Sequence, residues 1–359
     1  MRYKLGEVAK IRYGKDHKKL DDGNIPVYGS GGIMRYVDTA LYDKKSVLIP
    51  RKGSLGNLFF ANKPFWTVDT LFYTEIDENI LMPEFLFYKL KMFNLASMNV
   101  GSAVPSLTTA ILNALELDIP SFEVQSQIVN ILKAFDERIS LNKQINHHLA
   151  ELIDAQFAHL LEDNELYKST FSEIGEIVGG GTPSKKVDDY WNGDIPWLSP
   201  KDLSLNPAMF TGRGQNSITE LGYKKSSAKL MPRNSILFSS RAPIGYITIA
   251  ENDISTNQGF KSIIPKPEYP YTFVYELLKQ ETPSLESSAS GSTFKEVSGT
   301  HLKNHEIRIP PHSAIIKFHE SVEPLFKTIN LNEKEIQKLI EVRDLLLPTL
   351  MSGEISVSD

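Results

Sequence analysis

The second half of this chain repeats the first, and that constrains the fold more than any composition does. Gly23-Asn-Ile-Pro-Val-Tyr-Gly returns as Gly193-Asp-Ile-Pro-Trp-Leu-Ser, an offset of 170 positions. Ser46-Val-Leu, Lys52 and Leu55-Gly56 return as Ser235-Ile-Leu, Arg241 and Ile244-Gly245 at an offset of 189. Thr67-Val-Asp matches Thr256-Asn-Gln at that same offset, and Gly101-Ser102 and Ile119-Pro120 match Gly291-Ser292 and Ile309-Pro310 at 190. The register then holds from Ile139 and Ile329 through Leu149 and Leu339 to Asp154 and Asp344. Chance similarity does not keep one element order over such a length, so the chain reads as a tandem duplication. The step from 170 to 189 places an insertion between Trp197 and Ser235.

Each repeat has a globular part and a helical part. The globular parts are rich in Gly, Pro and aromatics. They carry short β-like runs, such as Val47-Leu-Ile, Leu58-Phe-Phe, Ser235-Ile-Leu-Phe and Tyr246-Ile-Thr-Ile. Pro83 opens a helical run in the first. The helical parts follow Ile119-Pro120 and Ile309-Pro310, with Ser121 and Ser313 as expected N-caps. In the first, Leu132, Phe135, Ile139, Ile145, Leu149, Leu152 and Leu160 recur at helical spacing. In the second, Ile329, Ile336, Arg343 and Leu350 alternate with Asn332, Leu339 and Leu346 in near-heptad register. Pro324 is expected to kink or split the second helix, and Pro348 with Gly353 to close it.

The expected fold is therefore α+β: two homologous α/β heads separated by two long helices that pack as an antiparallel coiled coil. The expected borders are 1–120, 121–168, 169–310 and 311–359. A helix from Phe135 to Leu161 runs roughly 40 Å at 1.5 Å per residue, close to one turn of B-DNA at about 34–36 Å. The alternative packs each apolar stripe on its own head.

The chain has 359 residues and no cysteine, which excludes disulfide scaffolds, thiolate metal sites and cysteine nucleophiles. Neither a secretion signal nor a membrane-spanning apolar run is present, so a cytoplasmic location is expected. The net charge of −5 hides local contrast. Residues 1–63 carry 13 Lys/Arg against 6 Asp/Glu and residues 201–241 carry 7 against 2, whereas 64–120, 121–168 and 311–359 are acidic. Two basic stretches on an acidic frame attract a polyanion locally, because exposed charges are screened beyond about 10 Å.

No catalytic constellation stands out. Gly179-Gly-Gly-Thr-Pro-Ser-Lys lacks the spacing of a phosphate loop, and there is no G-x-S-x-G elbow. His301 and His305 have zinc-pair spacing, but the first repeat has Ile111 and Leu115 there, so no metal site is expected. His147 and His148 point to different helix faces. The stronger signal is for recognition. Basic residues bracket a Gly-containing turn in each repeat, at Arg51-Lys-Gly-Ser-Leu-Gly and at Arg241-Ala-Pro-Ile-Gly, and Asn257-Gln258 follow in the second. Arg and Lys contact phosphates and guanine, while Asn and Gln read adenine edges.

Four stretches carry a family likeness: Ile25-Pro-Val-Tyr-Gly-Ser-Gly-Gly-Ile with Ile49-Pro-Arg-Lys-Gly-Ser-Leu-Gly-Asn and Trp66-Thr-Val-Asp-Thr; Gly180-Gly-Thr-Pro-Ser with Trp191-Asn-Gly-Asp-Ile-Pro-Trp; Ser255-Thr-Asn-Gln-Gly-Phe; and Leu347-Pro-Thr-Leu-Met-Ser-Gly-Glu-Ile. The chain thereby resembles the specificity (S) subunits of type I restriction–modification systems. The resemblance implies that each head is a target-recognition domain for one half of a bipartite, asymmetric double-stranded DNA site, and that the helices are spacers recruiting two adenine-methyltransferase subunits. S-adenosylmethionine, ATP and Mg would belong to those methyltransferases and to motor–nuclease subunits. This chain itself would hold no cofactor and be non-catalytic. The family usually places Glu-Gln after the Ile-Pro pair, where this chain has Val124-Gln125 and Ala314-Ile315. Candidate DNA contacts are Tyr28, Arg35, Lys45, Arg51, Lys52, Ser54, Trp66 and Asp69 in the first head. In the second they are Trp197, Lys201, Arg213, Lys225, Ser240, Arg241, Asn257, Gln258 and Lys261. The rival reading is a duplicated recognition protein for a glycan or peptide that dimerises through its helices.

Overall fold

A computed structural model describes residues 1–99, 105–241, 243–289 and 295–355. The repeat matches at Gly101-Ser102 and Gly291-Ser292, and Ala242 of the second basic turn, lie outside the described residues. The chain divides into two compact units, Met1–Ile139 with Lys338–Asp359 and Ser140–Gln337.

In the first unit, strands β1 (Ala9–Tyr13), β2 (Asp22–Gly29), β3 (Gly32–Val37), β4 (Ser46–Pro50), β5 (Phe59–Ala61), β6 (Trp66–Thr67) and β7 (Leu71–Ile76) form two sheets, ordered β1-β7-β4-β5 and β3-β2-β6. Strand β4 is buried along its whole length, which explains its unbroken Ser-Val-Leu-Ile-Pro run. Helix α1 (Pro83–Lys91) covers this core with Pro at its first turn, where the missing N–H costs nothing. Arg2–Lys4 pairs with Glu116–Asp118 and ties the head's N-terminus to its exit.

The second unit repeats the plan with β8 (Gly175–Gly179), β9 (Trp191–Leu198), β10 (Phe210–Thr211), β11 (Asn216–Ile218), β12 (Leu230–Met231), β13 (Ile236–Phe238), β14 (Ile247–Ala250), β15 (Ile254–Thr256) and β16 (Lys261–Pro265). Its sheets run β8-β16-β13-β14-β10 and β11-β9-β15-β12. One parallel pair recurs in both heads, β2 with β6 and β9 with β15. The insertion supplies β10 and β12, which extend one edge of each sheet. Tyr167–Thr170 pairs with Glu306–Ile309 as the counterpart of the terminal pair above.

The duplicated Gly-x-Ile-Pro motif has a backbone reason. In both heads the register slips at this point, between Asp22 and Ile25 and between Trp191 and Ile195. A Cβ on Gly23 would sit 2.5 Å from the Asp38 backbone, and one on Gly193 would sit 2.5 Å from Thr219 Cα. Only glycine lets the bulged strand approach its neighbour so closely.

Two long helices complete the units: α2 (Phe122–Glu162) and, after α3 (Tyr271–Ser287), α4 (His312–Ser352). Helix α2 starts well before Phe135 and is capped by Ser121, whose Oγ accepts the Val124 N–H at 3.5 Å. Ser313 is not the second cap, because the helix already begins at His312. Nor does Pro324 split α4, and Pro348 does not close it. The helix runs through both and stops before Gly353, at φ 78°. An internal proline costs about 3 kcal/mol, and burial of Val322, Phe326, Ile329 and Leu350 around these points outweighs it.

In each unit the two helices pack on each other and on the head. In the first, Arg343 pairs with Asp136, and Leu350 and Met351 join Ile128, Val129 and Leu132 in the core beneath α1. In the second, Asn142 bonds Glu335, Asn332 bonds Asn146 and Ser321 bonds Gln156, so the numbers rise on one helix as they fall on the other. This is the expected antiparallel pairing, combined with stripe-on-head packing. Phe157 meets Phe273 and Phe318, and Phe326 meets Tyr271 and Tyr275. Within the expected stripe of α2, Ile145 and Leu152 are exposed, and Asn142, Ile153 and Phe157 take the buried face. Glu333 clamps the inserted strand, accepting the Met209 and Phe210 N–H groups at 2.7 and 3.0 Å. Burial pushes its carboxyl up to about 7, against the pull of those two bonds.

Candidate nucleic-acid interface

The same three segments meet in each head, held by the same backbone bonds. In the first, Lys15 N–H donates to Thr67 O at 2.8 Å, Arg51 N–H to Thr70 O at 2.8 Å and Leu107 N–H to Arg51 O at 2.9 Å. In the second, Gly181 N–H donates to Thr256 O at 2.8 Å, Ser240 N–H to Gly259 O at 2.8 Å and Val297 N–H to Ser240 O at 2.9 Å. A Cβ on Gly14 would lie 2.1 Å from Val68 O, and one on Gly180 would lie 2.0 Å from Asn257 O. Isolated bridges join Lys52 to Ser106 and Arg241 to Glu296. This network sets up equivalences that follow from hydrogen bonds alone: Arg51 with Ser240, Lys52 with Arg241, Asp69 with Gln258 and Ser106 with Glu296.

The first station brings together Arg51, Lys52 and Asp69. The Arg51 guanidinium donates to Asp69 O at 3.1 Å and lies 5.3 Å from the Tyr13 ring centre. Asp69 and Thr70 line a cavity of about 650 Å³ with Asp16, His17, Lys18, Ser30 and Met34. Ser54 is exposed beyond Gly53, which lies at φ 85°. Three further expected contacts are committed elsewhere. Lys45 pairs with Glu84 of α1 at 2.7 Å, Arg35 with Asp22 at 2.7 Å, and Tyr28 packs on Phe59 and Phe65. Burial pushes the Tyr28 phenol up, with Tyr36 adding to the effect.

The second station gathers Arg241, Asn257, Gln258 and Lys261. Lys261 and Arg241 reach the Glu296 carboxylate at 3.3 and 3.9 Å. Asn257 Oδ1 accepts the Gly259 N–H at 2.8 Å, which shapes the turn, and the Thr182 hydroxyl donates to Gln258 Oε1. Lys201 stands on the short helix Pro200–Leu205; its neighbour Pro200 would lie 3.2 Å from a Cβ on Gly259. Lys225 and Arg213 are exposed on the insertion.

Burial withdraws Trp66, Trp197 and Ser240 from any DNA-facing set. Trp66 donates its indole N–H to Lys15 O and Trp197 donates to Gly181 O, both at 2.9 Å. They are 9% and 4% exposed and do the same job, each on one strand of its own head's parallel pair, pinning the loop after Gly14 or Gly180. Ser240 is fully buried and donates to Gly259 O at 3.0 Å. Sequence reasoning missed His17, Lys18, Ser106, Thr182 and Glu296. Ser106 and Glu296 sit far along the chain from the turns they join, and no local pattern announces them.

A sequence profile described as the type I restriction modification DNA specificity domain matches residues 1–151 and again 164–341. The chain belongs to the type I restriction–modification DNA specificity family. It is 42% identical over 171 residues to the type I restriction enzyme MjaIX specificity subunit of Methanocaldococcus jannaschii, a match spanning 47% of this chain and 39% of that protein. It is 27% identical to the HindI specificity subunit of Haemophilus influenzae over 85% of each chain. The crystal structure of a type I restriction–modification S subunit from M. genitalium has the same fold, with a TM-score of 0.66 and 17% identity over 98% of this chain and 95% of that one. The duplicated α+β fold thus stands as that of a specificity subunit, and these likenesses lend no support to the glycan- or peptide-binding alternative. Among the described residues no group of three or more His, Asp or Glu is placed to hold a metal, and no helix is long and apolar enough to cross a membrane.

Proposed function

We propose that this specificity subunit reads a bipartite, asymmetric double-stranded DNA site, one half with each head. The observation that carries the reading is the pair of stations, alike in backbone and unlike in side chains. A shared frame gives both heads one docking geometry, and Lys52 against Arg241, Asp69 against Gln258 and Ser106 against Glu296 give them different hydrogen-bonding faces. Basic side chains position phosphates, while the polar turn residues meet base edges. The helices hold the half-site spacing and recruit two adenine-methyltransferase subunits in the cytoplasm, with motor–nuclease subunits joining the assembly. Exposed leucines such as Leu331 and Leu345, 66% and 72% exposed, offer apolar surface for a partner to cover. Catalysis, S-adenosylmethionine, ATP and Mg belong to those partners in this reading, and this chain acts as a non-catalytic recognition subunit.

The test is sequencing of methylated bases in the host. A split adenine-methylation motif present in the wild type and lost on deletion of this chain is the expected result. An undivided motif, or one that survives deletion, overturns the reading.

A further inference from the structure

From the equivalence of Asp69 and Gln258 we infer that the two heads select bases through one shared position with opposite hydrogen-bond polarity. This rests on the reading of the chain as a DNA-recognition subunit and adds which residues choose the base, and how.

Both residues follow the second strand of the shared parallel pair, β6 or β15, by two positions, on the turns Val68–Thr70 and Asn257–Gly259. Each turn is fastened by a neighbouring N–H, Arg51 to Thr70 O or Ser240 to Gly259 O, so the side chains leave matching points of the frame. Both are exposed. Asp69 lines the cavity bordered by His17, Lys18 and Ser30, and its carboxylate makes no hydrogen bond among the described residues. A carboxylate only accepts, so its partner must donate. In the major groove the exposed donors are the amino groups of cytosine N4 and adenine N6.

Gln258 is set the other way. Its Oε1 accepts the Thr182 hydroxyl, which leaves the two Nε2 hydrogens to donate. Its partner must accept, as guanine O6 and N7, adenine N7 or thymine O4 do. The flanking charges fit this division. Arg51, Lys52 and Lys18 offset the Asp69 charge for a nearby backbone, whereas in the second head Glu296 already engages Lys261 and Arg241, and the neutral amide stands beside a paired cluster.

The experiment is site selection from a randomised double-stranded DNA library by the full chain in its native complex, with wild type, Asp69→Gln and Gln258→Asp in parallel. Asp69→Gln should change the preferred base at one position of one half-site, away from one read at its amino group and toward one read at an acceptor. Gln258→Asp should make the reverse change in the other half, each by about tenfold. The unmutated half should stay as it was, an internal control for folding. Asp69→Asn, which keeps size but adds a donor, should relax the same position if Asp69→Gln lowers the Tm. A wild-type motif in two parts that neither swap alters refutes this inference and leaves the recognition reading standing. Uniform weakening of both halves also refutes it. A wild type that selects no two-part site refutes both.

Discussion

Glu276 should make the second unit lose stability as pH rises through neutrality. It lies on α3, 3% exposed, with Oε1 lacking any hydrogen bond among the described residues and Oε2 3.6 Å from Lys279 Nζ. Lys279 is shared with Asp154 of α2, so its charge is divided. Burial pushes the Glu276 carboxyl from 4.5 up to about 8, with Lys279 pulling it down and Asp154 pushing further up. The folded protein therefore binds this proton more tightly than the unfolded chain. The resulting penalty is small below pH 4.5 and grows until pH passes 8. At about 1.36 kcal/mol per pH unit, ionisation costs under about 1 kcal/mol at pH 5 and about 3 kcal/mol at pH 7. Glu276→Gln keeps the shape and removes the charge. Its melting temperature should stay within about 4 °C of wild type near pH 5 and exceed it by roughly 6–12 °C at pH 7 and more at pH 8, taking about 2–4 °C per kcal/mol for a unit of this size. Calorimetry at pH 5, 7 and 8 reads the result directly. A difference between variant and wild type that is equal at all three pH values would refute the reasoning, because burial of a charge would then not be what perturbs this group.

Other expectations follow from the same geometry. Arg241→Ala should weaken DNA binding and lower the salt slope by about one unit if the side chain meets a phosphate, and an unchanged slope removes it from the interface. Asp136→Ala removes one of the two carboxylates that Arg343 holds, leaving it Asp344, and strands the Tyr88 hydroxyl, which donates to Asp136 at 2.7 Å; it should cost about 2 kcal/mol by thermal melting. Gly180→Ala drives a Cβ into Asn257 O and should cost about 3 kcal/mol with loss of second-half recognition. Gly31→Ala, which meets nothing within 4 Å, should be close to neutral in the same melting assay.

Several sequence expectations failed for one shared reason. Trp66 and Trp197 stand among the candidate DNA contacts because they lie beside basic turns; their indoles instead bond a carbonyl across the head. Pro324 read as a break because local chemistry forbids its hydrogen bond, but the buried faces on either side carry the helix through. Leu152 belongs to the right period and lands on the solvent side, while Asn142, 1% exposed, takes a seam position and bonds Glu335. Periodicity gives the spacing of a stripe and not its phase against a neighbour that has yet to fold.

Order along the chain was sufficient for the duplication, the alternation of head and helix, the insertion and the glycines that a bulge requires. Each of these is a matter of local backbone sterics or of repetition, and both are written linearly. Which side chains share a station was decided only when distant strands met. Ser106 joins Lys52 and Glu296 joins Arg241 across more than fifty residues, through backbone bonds that exist only in the packed head. Long-range hydrogen bonds carry no signature in either partner's neighbourhood, so recognition chemistry here is a property of the fold.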